Sequence, residues 1–232
     1  MNGSSDEWRG AALAFLRFQK SLGIEEFLLA RPPVKQAPPD ALSAIREQLG
    51  DCKRCPLHET RKNIVFGEGD PQAALMFVGE GPGADEDKQG RPFAGKAGEL
   101  LTKMIRAMTL ERHDVYIANV VKCRPPANRN PTGVEIATCF PFLDAQVDAV
   151  SPRIIVALGR IAANALLENS HPITELRGIF HDRKGIPVMP TYHPSFLLRE
   201  QSEKERKKEA WSDLKMAMDL LGLALPDSGG AQ

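Results

Sequence analysis

Four short apolar runs, each closing on a turn, constrain this chain more than any other feature. They are "AALMFVGE" (73–80), "DVYIANVV" (114–121), "PRIIVALG" (152–159) and "GIPVMPTYH" (185–193). Continuous apolar runs of this length suit strands covered on both faces. Helical patterns lie between and after them: "AGELLTKMIRAM" (97–108), residues 132–150 with Pro141 expected to bend them, "RIAANALLEN" (160–169) and residues 203–222. The alternation predicts an α/β fold, a three-layer α/β/α sandwich on a mainly parallel central sheet of about four strands. Ligands in such sheets bind beyond the carboxyl ends of the strands. Three of those ends carry unusual residues: "GEGPG", "NVVKCRPP" and "TYHPS".

Upstream, Trp8, Leu13, Phe15, Leu16, Phe18, Leu22, Ile24 and Phe27 recur at helical spacing until "ARPPVKQAPPD" (30–40) breaks the pattern. The expected plan is a helical appendage with a Pro-rich linker over 1–39, one domain over 40–222, and a tail over 223–232. No apolar run approaches the ~18 residues of a membrane span. Asp6, Glu7 and Arg9 do not fit a signal peptide, so a cytoplasmic protein is expected. Four cysteines in 232 residues are too few for a secreted disulfide scaffold.

Net charge is zero, yet residues 88–130 hold nine Lys/Arg against three acids. A solvated face and a surface for phosphates both explain that surplus. "GEGPG" (79–83) does not complete a dinucleotide fingerprint, because the third glycine would fall at Ala84 and Pro82 interrupts the turn. Its glycines suit a tight turn or a close approach of backbone to ligand.

Cys52, Cys55, Cys123 and Cys139 are the only cysteines. Buried thiols are common in cores, but the C-x2-C turn of "CKRC" points two sulfurs at one centre. Four thiolates suit tetrahedral zinc or a [4Fe–4S] cluster. The wide spacing of the second pair favours the cluster, and with four cysteines present His58 is not needed as a ligand.

From Cys52 to about Arg199 the chain resembles the iron–sulfur uracil-DNA glycosylases, usually called family 4. The resemblance rests on "CKRCPLHETR", "FVGEGPGADEDKQGRPFAGKAGELL", "NVVKCRPPANRNPT", Cys139, "PRIIVALG" and "PTYHPSFLLR". It leaves residues 1–39 outside. It implies a structural [4Fe–4S] cluster on Cys52, Cys55, Cys123 and Cys139, and uracil-containing DNA as substrate. A glycosylase must hold a flipped base at a cost of a few kcal/mol. By the resemblance Phe93, in the loop "GRPFAG", is the platform on which that base stacks. Asn119 reads the base edge, since one carboxamide answers both uracil O4 and N3–H. His193 stabilises charge growing on uracil O2, as an oxyanion donor does, with backbone amides of Gly79, Glu80 and Gly81 assisting. Leu197 and Leu198 resemble the apolar wedge that fills the vacated stack. Arg91, Lys96, Arg124, Ser195 and Arg199 complete the expected DNA contacts.

Other uracil glycosylases place an aspartate where this chain has Gly81. Glu80 is then the nearest carboxylate for activating water, and Glu86 is expected to crowd the C5 position against thymine. Asp85 and Asp87 are expected in a solvated acidic loop. No lysine occupies a pocket motif position, so a monofunctional hydrolase is expected, acting as a monomer and leaving an abasic site. The basic loop of a related DNA-trapping branch is lacking. Two other readings stand beside this one: a broader deaminated-base glycosylase, and a non-catalytic iron–sulfur DNA-binding module. Residues 1–39 are expected to meet a replication or repair partner.

Overall fold

The structure, a computed structural model, describes residues 40–199 and 204–224. The helix expected over 6–30, the linker before Asp40 and the tail from residue 225 lie outside the described residues. In chain order the elements are α1 (Ala41–Leu49), β1 (Glu68–Gly69), β2 (Leu75–Gly79), α2 (Ala84–Gln89), α3 (Lys96–Ala107), β3 (Tyr116–Asn119), α4 (Gly133–Val150), β4 (Ile154–Leu158), α5 (Arg160–Leu167), α6 (Ile173–Leu176), β5 (His181–Arg183), β6 (Ile186–Thr191), α7 (Pro194–Leu197) and α8 (Lys204–Leu221). No helix among the described residues is long and apolar enough to cross a membrane.

The sheet order is β1-β3-β2-β4-β6-β5. The four expected strands, β2, β3, β4 and β6, pair in parallel. Two short strands, β1 and β5, add antiparallel edges. At two and three residues these edges are too brief for periodicity to mark, which is why about four strands were expected and six are found.

Side chains alternate across the sheet and build two cores. Met76, Val78, Tyr116, Ala118, Ile155, Ala157 and Val188 face one way, against Leu143 and Val147 of α4 and Ala162, Ala163 and Leu166 of α5. Leu75, Phe77, Ile117, Ile154, Val156, Leu158 and Met189 face the other, against Leu101 and Ile105 of α3 and Leu214, Ala217 and Met218 of α8. The result is the expected three-layer sandwich. Helix α4 starts at a capping box, with the Thr132 hydroxyl accepting from Glu135 N–H, and runs through Pro141 to Val150.

Residues 84–89 are helical rather than a solvated acidic loop, and Asp87 is buried there. Its Oδ1 accepts the backbone N–H groups of Lys62 (2.8 Å) and Asn63 (3.2 Å), fastening α2 to the segment that follows the cysteine turn. Asp85 remains exposed, as expected.

Candidate active site

The carboxyl ends of β2, β3, β4 and β6 open into a cavity of roughly 740 Å³ whose lining includes Glu80, Gly81, Phe93, Asn119, Gly159 and His193. Gly79 and Asn119 are register partners on β2 and β3. A Cβ at position 79 would lie 2.4 Å from Asn119 Oδ1 and 2.6 Å from Phe93 Cζ. Any side chain there would drive the other two apart, so glycine is what lets them meet.

Asn119 is 2% exposed and its Oδ1 has no hydrogen-bond partner. Its backbone carbonyl accepts from Lys122 Nζ at 2.8 Å. An unsatisfied buried acceptor costs about 1–3 kcal/mol, which a ligand donor would recover.

Phe93 is buried and its backbone sits in the left-handed region, at φ 50°. For a bulky residue that conformation persists only when its surroundings enforce it. Two devices do so. Arg112 donates to the carbonyls of Pro92 (2.9 Å) and Phe93 (3.4 Å) while pairing with Glu68. Glu86 accepts from Ala94 N–H (2.9 Å) and Gly95 N–H (3.0 Å) through Oε1, and from Gly83 N–H (3.0 Å) through Oε2. Glu86 lines the cavity, but both carboxylate oxygens are engaged in holding the glycine turn to the Phe93 loop.

His193 caps α7. Its Nδ1 accepts from Ser195 N–H at 3.1 Å and lies 2.7 Å from Ser195 Oγ. A proton on Nδ1 would collide with the Ser195 N–H, so the neutral ring carries its proton on Nε2. Burial pushes the imidazole down to about 4, against a smaller opposing pull from Glu86. The ring is therefore a neutral N–H donor at pH 7. It stacks on Phe93 with centroids 5.6 Å apart and planes at 29°. Glu80 also lines the cavity; burial raises its pKa, and nearby Arg160 partly opposes the shift.

The cysteines are all free; Cys123 and Cys139 are buried in the core on the α4 side of the sheet, and Cys55 packs against it. Burial pushes the Cys123 thiol up to about 11, with Cys139 and Cys55 near enough to push the same way. Cys139 is raised by burial too, and senses Cys55 and Cys52. N–H donors reach three of the sulfurs: Arg54 Nη1 to Cys52 (3.2 Å), Arg61 Nη1 to Cys123 (3.3 Å) and the Lys122 amide to Cys139 (3.3 Å). His58 is turned to the Cys55 carbonyl, 2.9 Å from its Nδ1. Among the described residues no three His, Cys, Asp or Glu side chains are arranged to hold a single metal ion.

The basic 88–130 stretch is not one free surface. Lys122 is fully buried, Nζ on Asn119 O and Gln146 Oε1, with burial lowering its ammonium to about 8. Arg91, Arg106, Arg112 and Arg129 pair with Glu68, Glu111, Glu68 and Glu135. Lys96 is exposed at the start of α3, and Arg124 donates to Asn128 Oδ1 at 2.7 Å. Of the two expected wedge residues, Leu197 is 3% exposed and packs with Tyr192 and Ala210, whereas Leu198 is 47% exposed. Ser195 and Arg199 are exposed beside it.

Sequence reasoning missed Arg61, Arg112 and Lys122 as contributors to the site. Arg61 stands six residues after the "CKRC" turn, where a donor to the thiol region was conceivable. Arg112 and Lys122 carry no local signal, because their partners are set by tertiary packing.

The family model described as the uracil DNA glycosylase superfamily matches residues 66–215. A type-4 uracil-DNA glycosylase of Thermotoga maritima is 48% identical over 170 residues, covering 72% of this chain and 88% of that protein. The type-4 protein of Sulfurisphaera tokodaii is 50% identical, with coverages of 68% and 76%. That of Archaeoglobus fulgidus is 40% identical, with coverages of 81% and 96%. The parallel sheet, the pocket at its carboxyl edge and these similarities agree, and the chain belongs to the uracil DNA glycosylase superfamily, alongside its type-4 members.

Proposed function

We propose that this chain, acting as a monomer, excises uracil from DNA by hydrolysing its N-glycosidic bond. The observation that carries the reading is the buried Asn119 carboxamide, whose Oδ1 is unpartnered beside Phe93 and His193. Uracil would give its N3–H to that oxygen and accept at O4 from Nδ2, while cytosine presents the reverse pattern. Phe93 supplies a face for the flipped ring. As the C1′–N1 bond breaks, electrons move onto uracil and His193 Nε2–H stabilises the charge at O2. Water then adds to C1′. Its proton goes to Glu80, the cavity carboxylate left without a hydrogen bond from the described residues, and finally to the departing base. Glu86 acts here as a positioning residue.

The four cysteines are proposed to hold a [4Fe–4S] cluster. Cys123 and Cys139, buried and with raised pKa values, need a cationic group before they can ionise together, and backbone and guanidinium N–H groups directed at sulfur are the contacts that tune such clusters. When bound, the cluster would supply structure, bracing the Cys52–Arg61 segment against β3 and α4. Protein purified without oxidation is expected to be brown, with four iron atoms per chain. Colourless protein holding one zinc overturns the cluster and leaves the pocket reading intact.

Alkaline cleavage of uracil-containing oligonucleotides after incubation tests the function. Strand breaks at uracil are expected; a gel shift without breaks means a binding module. Asn119→Asp removes the donor to O4, and a mismatched buried partner is strongly rejected, so a loss on the order of 10³-fold or more on uracil is expected. His193→Ala should lower the single-turnover rate by about 10²–10³-fold while uracil-DNA binding persists. Full activity in both variants means the base binds elsewhere.

The pH dependence follows from the same ring. Its native pKa of about 4 lies below the ordinary 6.5, so the unfolded chain binds more protons between those values. This contribution to stability is complete above 6.5 and is lost as pH falls towards 4. The single-turnover rate should show no His193 titration between pH 5 and 8. A step near pH 6.5 that vanishes in His193→Gln contradicts the neutral Nε2–H ring.

A further inference from the structure

The mouth of the cavity holds an arginine–aromatic ladder that the catalytic reading does not use. Tyr192 and Phe196 stack with centroids 5.4 Å apart. Arg206, in the first turn of α8, covers both rings, its guanidinium carbon 5.1 Å from the Phe196 centroid and 5.9 Å from that of Tyr192. Arg199 covers Phe196 at 5.9 Å. Arg177 joins the ladder over Tyr192 at 5.4 Å, but its donors are committed: Nε and Nη2 to Asp213, and Nη1 in an ion pair with Glu209. Glu209 also accepts from the Tyr192 hydroxyl. Arg206 and Arg199 make no ion pair with the described residues, and both line the cavity with His193 and Ser195.

Stacking on an aromatic face fixes the plane of a guanidinium and leaves its in-plane N–H edge for a ligand. That fork matches two oxygens of a phosphate. Lys204 and Lys207 are exposed in the same stretch of α8, whereas Lys208 pairs with Glu205. We propose that Arg206, together with Arg199, clamps a backbone phosphate of the DNA strand beside the flipped nucleotide. Arg206 lies beyond the motif stretch that ends at Arg199. The proposal rests on the glycosylase reading for the position of that phosphate, while the contact itself requires only DNA.

The test measures affinity of the full chain for an oligonucleotide duplex carrying 2′-fluorinated uracil nucleotide, which resists cleavage, across a salt series. Arg206→Gln is expected to weaken binding about tenfold at low salt, and to make the slope of log K against log salt shallower by about 0.9, one phosphate contact on B-DNA. Arg206→Lys should keep the slope and only part of the affinity, because it retains charge without the fork. Neutral methylphosphonate linkages flanking the uracil should weaken the wild type and weaken Arg206→Gln clearly less, since only the Arg199 contact remains to be lost there. An unchanged slope in folded Arg206→Gln, or additive losses, overturns the clamp. Should that variant fail to fold, the methylphosphonate series on wild type and Arg206→Lys decides: no position that weakens wild type more than Arg206→Lys overturns it. Release of uracil from a natural substrate is scored in parallel. A slope change without uracil release keeps the phosphate contact and rejects the glycosylase reading; uracil release with an unchanged slope does the reverse.

Discussion

The absence of a side chain at position 79 is the constraint on which the pocket depends. Parallel pairing puts Gly79 level with Asn119, and the space a Cβ would occupy is already taken by Asn119 Oδ1 and Phe93 Cζ. From that contact the other requirements follow. Phe93 must adopt a left-handed backbone to reach the spot, and Arg112 and Glu86 hold its loop there. His193 arrives from β6 onto the Phe93 ring, its proton fixed on Nε2 by the cap of α7. Asn119 at the end of β3, Phe93 in the loop between α2 and α3, and His193 just after β6 are thus brought to one place.

The thiol region and the pocket share a buried connection. Lys122 gives its amide to Cys139 Sγ and its ammonium to the Asn119 carbonyl and Gln146 Oε1. Gln146 in turn donates to Phe66 O and the Tyr116 hydroxyl. A lysine with no exposure is tolerated only because hydrogen bonds replace its hydration. Order at the cysteines therefore bears directly on where β3 presents Asn119.

The fold was largely legible because its four central strands are apolar on both faces and its helices are periodic. The edge strands Glu68–Gly69 and His181–Arg183 were not, since neither is long enough to show a period. The motif residues Gly79, Asn119 and His193 were picked out by resemblance; Asn119 and His193 line one cavity, and Gly79 packs against Asn119 and Phe93 at its edge. Charge was the misleading signal. Counting lysines and arginines over 88–130 could not tell that Lys122 would be buried or that Arg112 and Arg129 would be paired. The same blindness to packing put Asp87 in solvent and made Leu197 a wedge, though one anchors a backbone turn and the other fills a core. Arg206 was invisible because its meaning lies in two rings contributed by another part of the chain.

The most direct test of the account is release of free uracil from a uracil-containing oligonucleotide by Gly79→Ala, beside wild type, with thermal unfolding recorded for both. A methyl group at position 79 must displace either the Asn119 carboxamide or the Phe93 ring, so the variant should fold yet lose uracil release by at least about 10²-fold, the usual effect of a small misplacement of positioning groups. A folded Gly79→Ala that releases uracil at the wild-type rate would contradict the claim that this close approach builds the site.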